Sequence, residues 1–275
     1  MSACASVSAP PTQDADRFLA VNGTRLRFRD EGRGPAVLLV HGWTLDLEMW
    51  DPQVRALSDT FRVVRLDRRG HGLSAGIPAV ERDSEDLAAL CTHLGLRRVA
   101  LLGMSQGARA VLGFACAAPA KVTAVILDGP PPLEGEPDPD LPLRRYAMLL
   151  QTRGIEAFRH EWARDALMQL HTHNPESRAL LAAMIARYPG NDLRDPPSPA
   201  EPAISIRVES LTAPTLVLSG AYDLASRRRA ARQLTARFPD AELAVIPGAG
   251  HLPNLDRPDA YSELCRQFLT RHCMR

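Results

Sequence analysis

Short apolar runs that alternate with helical patterns are the feature that most constrains this fold. Each run is apolar throughout and is bounded by turn residues, which is typical of strands buried on both faces. The runs are 36–40, 61–66, 99–102, 122–127, 215–218 and 242–246, and helical spacing of apolar residues separates them at 83–94, 108–117, 227–238 and 259–269. This alternation predicts an α/β fold with a mostly parallel sheet and helices on both faces.

Two further strands are expected at the N-terminal side of this pattern. The dipeptide Asn22-Gly23 lies between two alternating runs, 17–20 and 25–28, and is a strong signal for a tight hairpin. With this hairpin, the expected sheet has eight strands. Residues 1–16 are rich in Ser, Ala and Pro and lack the basic start and apolar core of a secretory signal. We therefore expect them to form a disordered N-terminal tail.

The strand pattern stops between residues 130 and 210. Helical patterns flanked by proline-rich stretches replace it, at 143–152, 155–170 and 176–188. Because both flanks continue one sheet pattern, we predict a core formed by residues 17–130 and 211–275, with a helical lid at 131–210. A separate small domain on linkers is the alternative.

The charge balance excludes several classes of partner. The chain has 33 basic and 32 acidic residues, and a net charge of +1 gives no surplus that favours nucleic acid or an anionic membrane. No apolar run reaches the length of a membrane span. The five cysteines form no C-x-x-C pair. An odd number of cysteines without a signal peptide indicates reduced thiols in a cytoplasmic protein. The histidine spacing does not suit a metal, so no cofactor is expected.

The pentapeptide Gly103-Met104-Ser105-Gln106-Gly107 lies between a predicted strand and a predicted helix. A serine flanked by glycines in this context is typical of a nucleophile elbow, because the sharp turn needs small neighbours and leaves the hydroxyl exposed above the sheet edge. The pattern also occurs by chance, so its interpretation depends on partners elsewhere in the chain.

His251 is the candidate for a general base that would activate Ser105. It follows the last predicted strand, in Gly250-His251, where a loop of small residues could hold the ring over the serine. His41 and His71 also follow strands, but each is more simply explained as a residue that holds a turn.

Asp223, after the strand at 215–218, is the candidate that orients His251. Asp128, after the run at 122–127, is the alternative acid. With Asp223, the chain order is nucleophile, acid and base, as in serine hydrolases of parallel-sheet folds.

The same sheet edge offers donors for an oxyanion. Gln106 follows the serine at a helix N-terminus, where free N–H groups favour negative charge. Trp43 lies in the loop after the strand at 36–40, and we expect its backbone N–H to be the second donor.

Several aromatic and sulfur-containing side chains are candidates for a substrate pocket, although helical spacing of such residues usually reflects packing. They are Trp43, Phe158, Trp162 and Met148. Arg144 and Arg159 are candidates for binding a substrate carboxylate, with solvated surface positions as the simpler interpretation.

Together these residues resemble the α/β-hydrolase superfamily over residues 21–269, apart from the lid. The motifs that carry the resemblance are His41-Gly42-Trp43, Asp67-Arg68-Arg69-Gly70-His71-Gly72-Leu73-Ser74, Gly103-Met104-Ser105-Gln106-Gly107, Asp223 and Gly250-His251. The resemblance implies an α/β-hydrolase fold, similar to small carboxylesterases, enol-lactonases and perhydrolase-like esterases. A serine at 105 disfavours haloalkane dehalogenases and epoxide hydrolases, which use an aspartate there.

The expected activity is that of a serine esterase or lactonase. Such an enzyme would cleave a small or medium carboxylic ester or lactone through an acyl-enzyme on Ser105, and the charged lid disfavours lipid droplets as a substrate. Two alternatives remain open: a carbon–carbon bond hydrolase or lyase on the same triad, and a ligand receptor with slow turnover.

Overall fold

The computed structural model of this protein describes residues 15–132, 140–194 and 207–274. Its eight strands form one sheet in the order β1-β2-β4-β3-β5-β6-β7-β8. The strands are β1 (Arg17–Val21), β2 (Thr24–Glu31), β3 (Ala36–Val40), β4 (Arg62–Leu66), β5 (Val99–Met104), β6 (Val122–Asp128), β7 (Thr215–Gly220) and β8 (Ala241–Ile246). Strands β3 to β8 run parallel, and β2 pairs antiparallel with both β1 and β4. The predicted eight-stranded, mostly parallel sheet is confirmed.

The first hairpin closes where the sequence predicts it. Val21 pairs with Thr24, and Asn22 and Gly23 between them have φ angles of 47° and 73°. Two successive positive φ angles match the turn that Asn-Gly favours, because its twist suits the flanking strands. Strand β1 begins at Arg17. Residues 1–14 of the predicted tail lie outside the described residues.

Helices cover both faces of the sheet. They are α1 (Asp51–Leu57), α2 (Val80–His93), α3 (Gln106–Ala117), α4 (Leu143–Trp162), α5 (Pro175–Arg187), α6 (Asn191–Arg194), α7 (Ala225–Thr235), α8 (Pro253–Asp256) and α9 (Pro258–Cys273). Within the described residues, no helix has both the length and the apolar character that a membrane span requires.

Alternate residues of the central strands enter two separate apolar cores. On β3, Val37 and Leu39 pack into one core, with residues from α1, α4 and α9. Leu38 and Val40 pack into the other, with residues from α2, α3 and α7. Burial on both faces explains why the strand sequences are continuously apolar.

A helical insert, residues 140–194, connects β6 to the segment that leads into β7. Helix α4 contains a break at Gly154 (φ 82°) between the two predicted helical patterns. The prediction that the second pattern continues to Leu170 is wrong. The helix ends at Trp162, and Asp165 caps a short 3₁₀ turn at Ala166–Met168 by accepting a hydrogen bond from the Leu167 N–H. Parts of both proline-rich flanks lie outside the described residues, and the boundaries of the predicted lid stay predictions.

Candidate active site

Ser105 occupies the turn between β5 and α3 with a backbone conformation that L-residues rarely adopt. Its φ is 52° and its ψ is −117°, and backbone strain of this kind costs roughly 1–3 kcal/mol and is typical of functional sites. Hydrogen bonds on both sides hold the turn. The Ser105 N–H donates to the carbonyl oxygen of Asp128 at 2.8 Å, and the Ser105 carbonyl accepts from the Ala108 N–H at 2.9 Å.

The two glycines of the pentapeptide allow close packing that any side chain would prevent. A Cβ atom on Gly103 would lie 2.3 Å from the carbonyl oxygen of Gly107, and a Cβ on Gly107 would lie 2.3 Å from that of Val40. These contacts seat the turn against the end of β3. The structure thereby gives the physical reason for glycine at both positions of the predicted elbow.

His251 and Asp223 form a buried pair at the same end of the sheet. The Nδ1 atom of His251 lies 3.0 Å and 3.1 Å from the two carboxylate oxygens of Asp223. Both side chains are nearly inaccessible, at 2% and 1% exposure. A carboxylate at Nδ1 favours the tautomer that leaves Nε2 free to accept a proton.

The loop that carries His251 is fixed to the helical insert by Asp256. One carboxylate oxygen accepts a hydrogen bond from the Gly250 N–H at 2.7 Å. The other accepts from the N–H groups of His171 and Thr172 at 2.6 Å and 3.0 Å. The ring of His251 is therefore positioned from two sides, by Asp223 and by its own anchored loop.

Asp128, the alternative acid, does not contact His251 in the same way. It is fully buried at the end of β6, beside the Tyr261 hydroxyl and the Asp223 carboxylate. Burial and the nearby Asp223 carboxylate raise the pKa of Asp128 well above its usual range. The geometry therefore favours Asp223 as the partner of His251.

The two competing histidines hold turns. The Nδ1 atom of His41 lies 2.7 Å from the Gly42 carbonyl, and its Nε2 accepts from the Arg68 N–H at 2.9 Å. His71 Nδ1 lies 3.0 Å from the Arg69 carbonyl. Burial lowers the pKa of His41, and lowers that of His71 to about 4. Both rings are therefore neutral near pH 7.

The loop after β3 lies directly against Ser105. A Cβ on Gly42 would be 3.4 Å from the Ser105 Cβ, so the following residue, Trp43, begins next to the serine. Gln106 is the first residue of α3. Within the described residues, neither the Trp43 N–H nor the Gln106 N–H donates a hydrogen bond. Both remain available for the predicted oxyanion.

The motif at Asp67 to Ser74 is hydrogen-bonded to the loop after β3 through the Asp67 carboxylate. The Asp67 carboxylate accepts hydrogen bonds from the N–H groups of Leu47 and Leu73, each at 2.8 Å. Burial raises the pKa of Asp67 to about 6, opposed by these hydrogen bonds and by Arg27. The motif therefore links the loop after β3 to the loop after β4.

Ser105 and His251 line the same cavity, which is very small. Its volume is about 10 Å³, roughly the room that one water molecule needs. The other lining residues are Trp43, Leu45, Met104, Leu141, Trp162, Leu167 and Met168. Two of the predicted pocket residues, Trp43 and Trp162, are thus in place around the serine.

The other two predicted pocket residues lie elsewhere. Phe158 is fully buried and stacks on Trp162 with ring centroids 6.3 Å apart, outside the lining of this cavity. Met148 is 65% exposed and lines a second cavity of about 390 Å³. That cavity also includes Gln106, Arg144 and residues of the 78–81 segment. Arg159 lines neither cavity, and its guanidinium donates a hydrogen bond to the Tyr188 carbonyl at 2.8 Å.

Sequence reasoning missed one polar residue of the site. Asp192, from the helical insert, accepts a hydrogen bond from the indole N–H of Trp43 at 2.6 Å, and it also lines the second cavity. The two residues are 149 positions apart in the chain, and no motif surrounds Asp192. No local pattern could have identified it.

Comparisons with known proteins agree with this architecture. A family model described as alpha/beta hydrolase fold matches residues 35–258. The pimeloyl-(acyl-carrier protein) methyl ester esterase of Nitrosospira multiformis is 27% identical over 258 residues, which cover 84% of this chain and 92% of the relative.

Two solved structures are similar over nearly the whole chain. A thermophilic esterase from Thermogutta terrifontis, solved with malate bound, has a TM-score of 0.79 and 29% identity, covering 94% of this chain and 98% of that chain. The enol-lactonase from Burkholderia xenovorans LB400 has a TM-score of 0.77 and 28% identity, covering 92% and 100%.

Proposed function

This chain belongs to the alpha/beta hydrolase fold family, and from that premise we propose that it is a serine hydrolase acting on a small or medium carboxylic ester or lactone. The observation that carries the proposal is the shared cavity of Ser105 and His251, with the Nδ1 atom of His251 3.0 Å from the Asp223 carboxylate. A strained serine, a buried carboxylate and a buried imidazole, in that chain order, are the parts that acyl transfer needs.

The reaction proceeds in two halves. His251 Nε2 takes the proton of the Ser105 hydroxyl as the oxygen attacks the carbonyl carbon. The resulting imidazolium is stabilised by Asp223. When the carbon–oxygen bond to the leaving group breaks, that alkoxide takes the proton from His251 and the acyl-enzyme remains. A water molecule then gives a proton to His251 and attacks the acyl carbonyl. The bond between the acyl carbon and the Ser105 oxygen breaks, the acid is released, and His251 returns the proton to Ser105.

The tetrahedral intermediate of each half carries a negative oxygen. The free backbone N–H groups of Trp43 and Gln106 are the proposed donors to it, helped by the N-terminal dipole of α3. Loss of one such donor typically costs roughly 3 kcal/mol of transition-state stabilisation.

The two cavities suggest how a substrate is divided. The cavity at Ser105 holds about one water molecule, so an acyl group fits there only if it is compact and the lining side chains shift, whereas the larger cavity beside Gln106 has room for the leaving group. Arg144 lines the larger cavity and its side chain is exposed, so we propose that it attracts a substrate carboxylate.

The proposal is tested by ester hydrolysis with purified protein. Short-chain nitrophenyl esters should be hydrolysed, and Ser105→Ala should lower kcat at least about a thousandfold, because removing the nucleophile leaves only the remaining site. Ser177→Ala is the matched control, since Ser177 is a buried serine of α5 outside both cavities. Equal activity of the two variants would show that Ser105 is not the nucleophile.

A substrate panel separates the proposed activity from its alternatives. Esters and lactones should turn over faster than vinylogous diketones if the enzyme is an esterase or lactonase. Faster cleavage of the diketones would instead assign carbon–carbon bond hydrolysis. Ligand binding without turnover of any member would assign a receptor.

A further inference from the structure

The helical insert is hydrogen-bonded to the loop that follows β3 at three places. The Trp43 indole donates to Asp192 at 2.6 Å, and the Trp162 indole donates to the Thr44 hydroxyl at 2.7 Å. Arg187 donates to the Asp46 carboxylate at 2.7 Å. These pairs are 149, 118 and 141 residues apart in the chain. The loop at 43–46 is therefore fixed by residues that belong to a different part of the fold.

Thr44 shows that this loop needs to be held. Its φ is 63°, in the left-handed region that a β-branched residue rarely adopts. Such a conformation persists only when the surroundings determine it. The Thr44 side chain is almost fully buried, and its hydroxyl accepts the Trp162 N–H. Trp162 is thus positioned to hold the strained residue directly after the proposed oxyanion donor.

Asp192 restrains the donor residue itself. One carboxylate oxygen accepts from the Trp43 indole and the other accepts from the Tyr188 hydroxyl. Since both oxygens are engaged, the carboxylate cannot rotate without losing a partner. The Trp43 ring also contacts Trp162, with ring centroids 4.9 Å apart. The side chain of Trp43 is therefore fixed in orientation as well as in position.

We propose that Trp162 and Asp192 are positioning residues that hold the backbone of Trp43 and Thr44, so that the oxyanion site is complete only while the helical insert is docked. The inference rests on the proposed serine-hydrolase function and on the backbone N–H of Trp43 as a donor. Neither residue needs to touch the reacting atoms for this effect. Each acts through the loop.

Positioning of an oxyanion donor has a specific kinetic signature. The donor binds the charge of the transition state more strongly than it binds the substrate carbonyl, so its displacement lowers kcat and leaves KM nearly unchanged. A boronic acid that forms a tetrahedral anion on the serine should lose affinity in parallel. A loss of packing alone would lower thermal stability without this selectivity.

Trp162→Phe is the main variant, because it removes the indole N–H and keeps an aromatic ring. Trp50→Phe is the matched control, since the Trp50 indole is also buried but its N–H makes no hydrogen bond within the described residues. We expect Trp162→Phe to lower kcat about tenfold, less than complete loss of a donor, with KM within about twofold of wild type. Trp50→Phe should leave kcat and the boronic acid inhibition constant unchanged.

Asp192→Asn and Thr44→Gly test the positioning role in two further ways. An amide offers a single acceptor oxygen for two donors, so Asp192→Asn should also lower kcat and weaken binding of the boronic acid.

Thr44→Gly removes the need to hold residue 44, because glycine adopts the positive φ without steric cost. Adding Trp162→Phe to Thr44→Gly should therefore change kcat by less than about twofold relative to Thr44→Gly alone. A double-mutant cycle measures this difference.

The outcomes separate this inference from the proposed function. If wild-type protein hydrolyses esters and a fluorophosphonate labels Ser105, but Trp162→Phe and Asp192→Asn match Trp50→Phe in kcat, the positioning role is overturned alone. An effect confined to KM would overturn it as well. If the wild type neither hydrolyses esters nor is labelled at Ser105, the proposed function fails, and the inference fails with it.

Discussion

At the scale of single residues, the site depends on two non-glycine positions with positive φ, Ser105 and Thr44. Both lie in turns that follow parallel strands, and both are held by hydrogen bonds from other elements. Strain of this kind is retained where function requires a defined backbone direction. At Ser105 the direction presents the hydroxyl, and at Thr44 we infer that it presents the neighbouring N–H.

Arg144 gives a residue-scale prediction about substrate charge. Arg144→Gln should raise KM up to about fivefold for an ester that carries a free carboxylate, because one exposed ion pair is worth at most about 1 kcal/mol. KM for a neutral ester of the same size should not change. Arg145→Gln is the control, since Arg145 pairs with Glu161 and does not line the cavity. Equal KM values for the two variants with the charged ester would contradict the role of Arg144.

Asp128 gives a prediction about pH. The pKa of Asp128 is raised well above its ordinary value in the folded protein, first by burial and then by the Asp223 charge. The unfolded chain ionises this group near pH 4, so the folded state binds a proton that the unfolded state loses. Its contribution to stability is therefore fully present below about pH 4 and is lost as the pH rises towards the folded pKa.

Asp128→Asn removes this pH dependence, and thermal unfolding measures it. The Tm of Asp128→Asn minus the Tm of the wild type should increase between pH 5 and pH 8. The corresponding difference in the free energy of unfolding should rise by at most about 1.4 kcal/mol per pH unit. Asp240→Asn, at an exposed position, should show no such trend. A Tm difference that is constant or shrinks with pH would contradict a raised pKa at Asp128.

At the level of elements, the helical insert forms part of the wall of the cavity at Ser105. Leu167 and Met168, from the short turn after α4, lie in the cavity wall together with Trp162. Other residues of the insert hold the nearby loops, since Asp192 accepts from Trp43, and His171 and Thr172 donate to Asp256. The insert therefore lines the proposed acyl site and contacts the loops around it.

Met168→Ala should widen the acyl site. The ratio of kcat/KM for a hexanoyl ester to that for an acetyl ester should rise about tenfold, in the range that pocket methylenes control. Met184→Ala is the control, because Met184 is equally buried in α5 and does not line the cavity. Both variants should lose similar stability, about 2–5 kcal/mol. An unchanged ratio in Met168→Ala would show that this wall does not limit the acyl group.

The elements themselves were largely predictable, because each is encoded by local pattern. The apolar runs gave β3 to β8 within a few residues, and Asn22-Gly23 gave the first hairpin. The end of α4 at Trp162 was missed because the apolar spacing continues beyond it, while Asp165 caps a separate 3₁₀ turn. Apolar spacing alone does not show where one helix ends and a capped turn begins.

At the scale of the whole molecule, parallel strands bring distant residues to one edge. Ser105, Asp223 and His251 each follow a strand, so their meeting could be expected from strand order and the location of ligand sites in such sheets. The contacts of the helical insert could not be, since Asp192 and Trp162 reach the loop after β3 through tertiary packing alone. Sequence therefore predicts the proposed catalytic residues better than the residues that hold them.

If Ser105 carries the acyl group, mass spectrometry of the protein during turnover should find that group on it. Wild-type protein quenched within the first turnovers of a nitrophenyl acetate should gain the mass of one acetyl group, located on the peptide that contains Ser105. Ser105→Ala should gain none. Hydrolysis by the wild type with no adduct on that peptide, or an equal adduct in Ser105→Ala, would show that Ser105 is not the acylated residue.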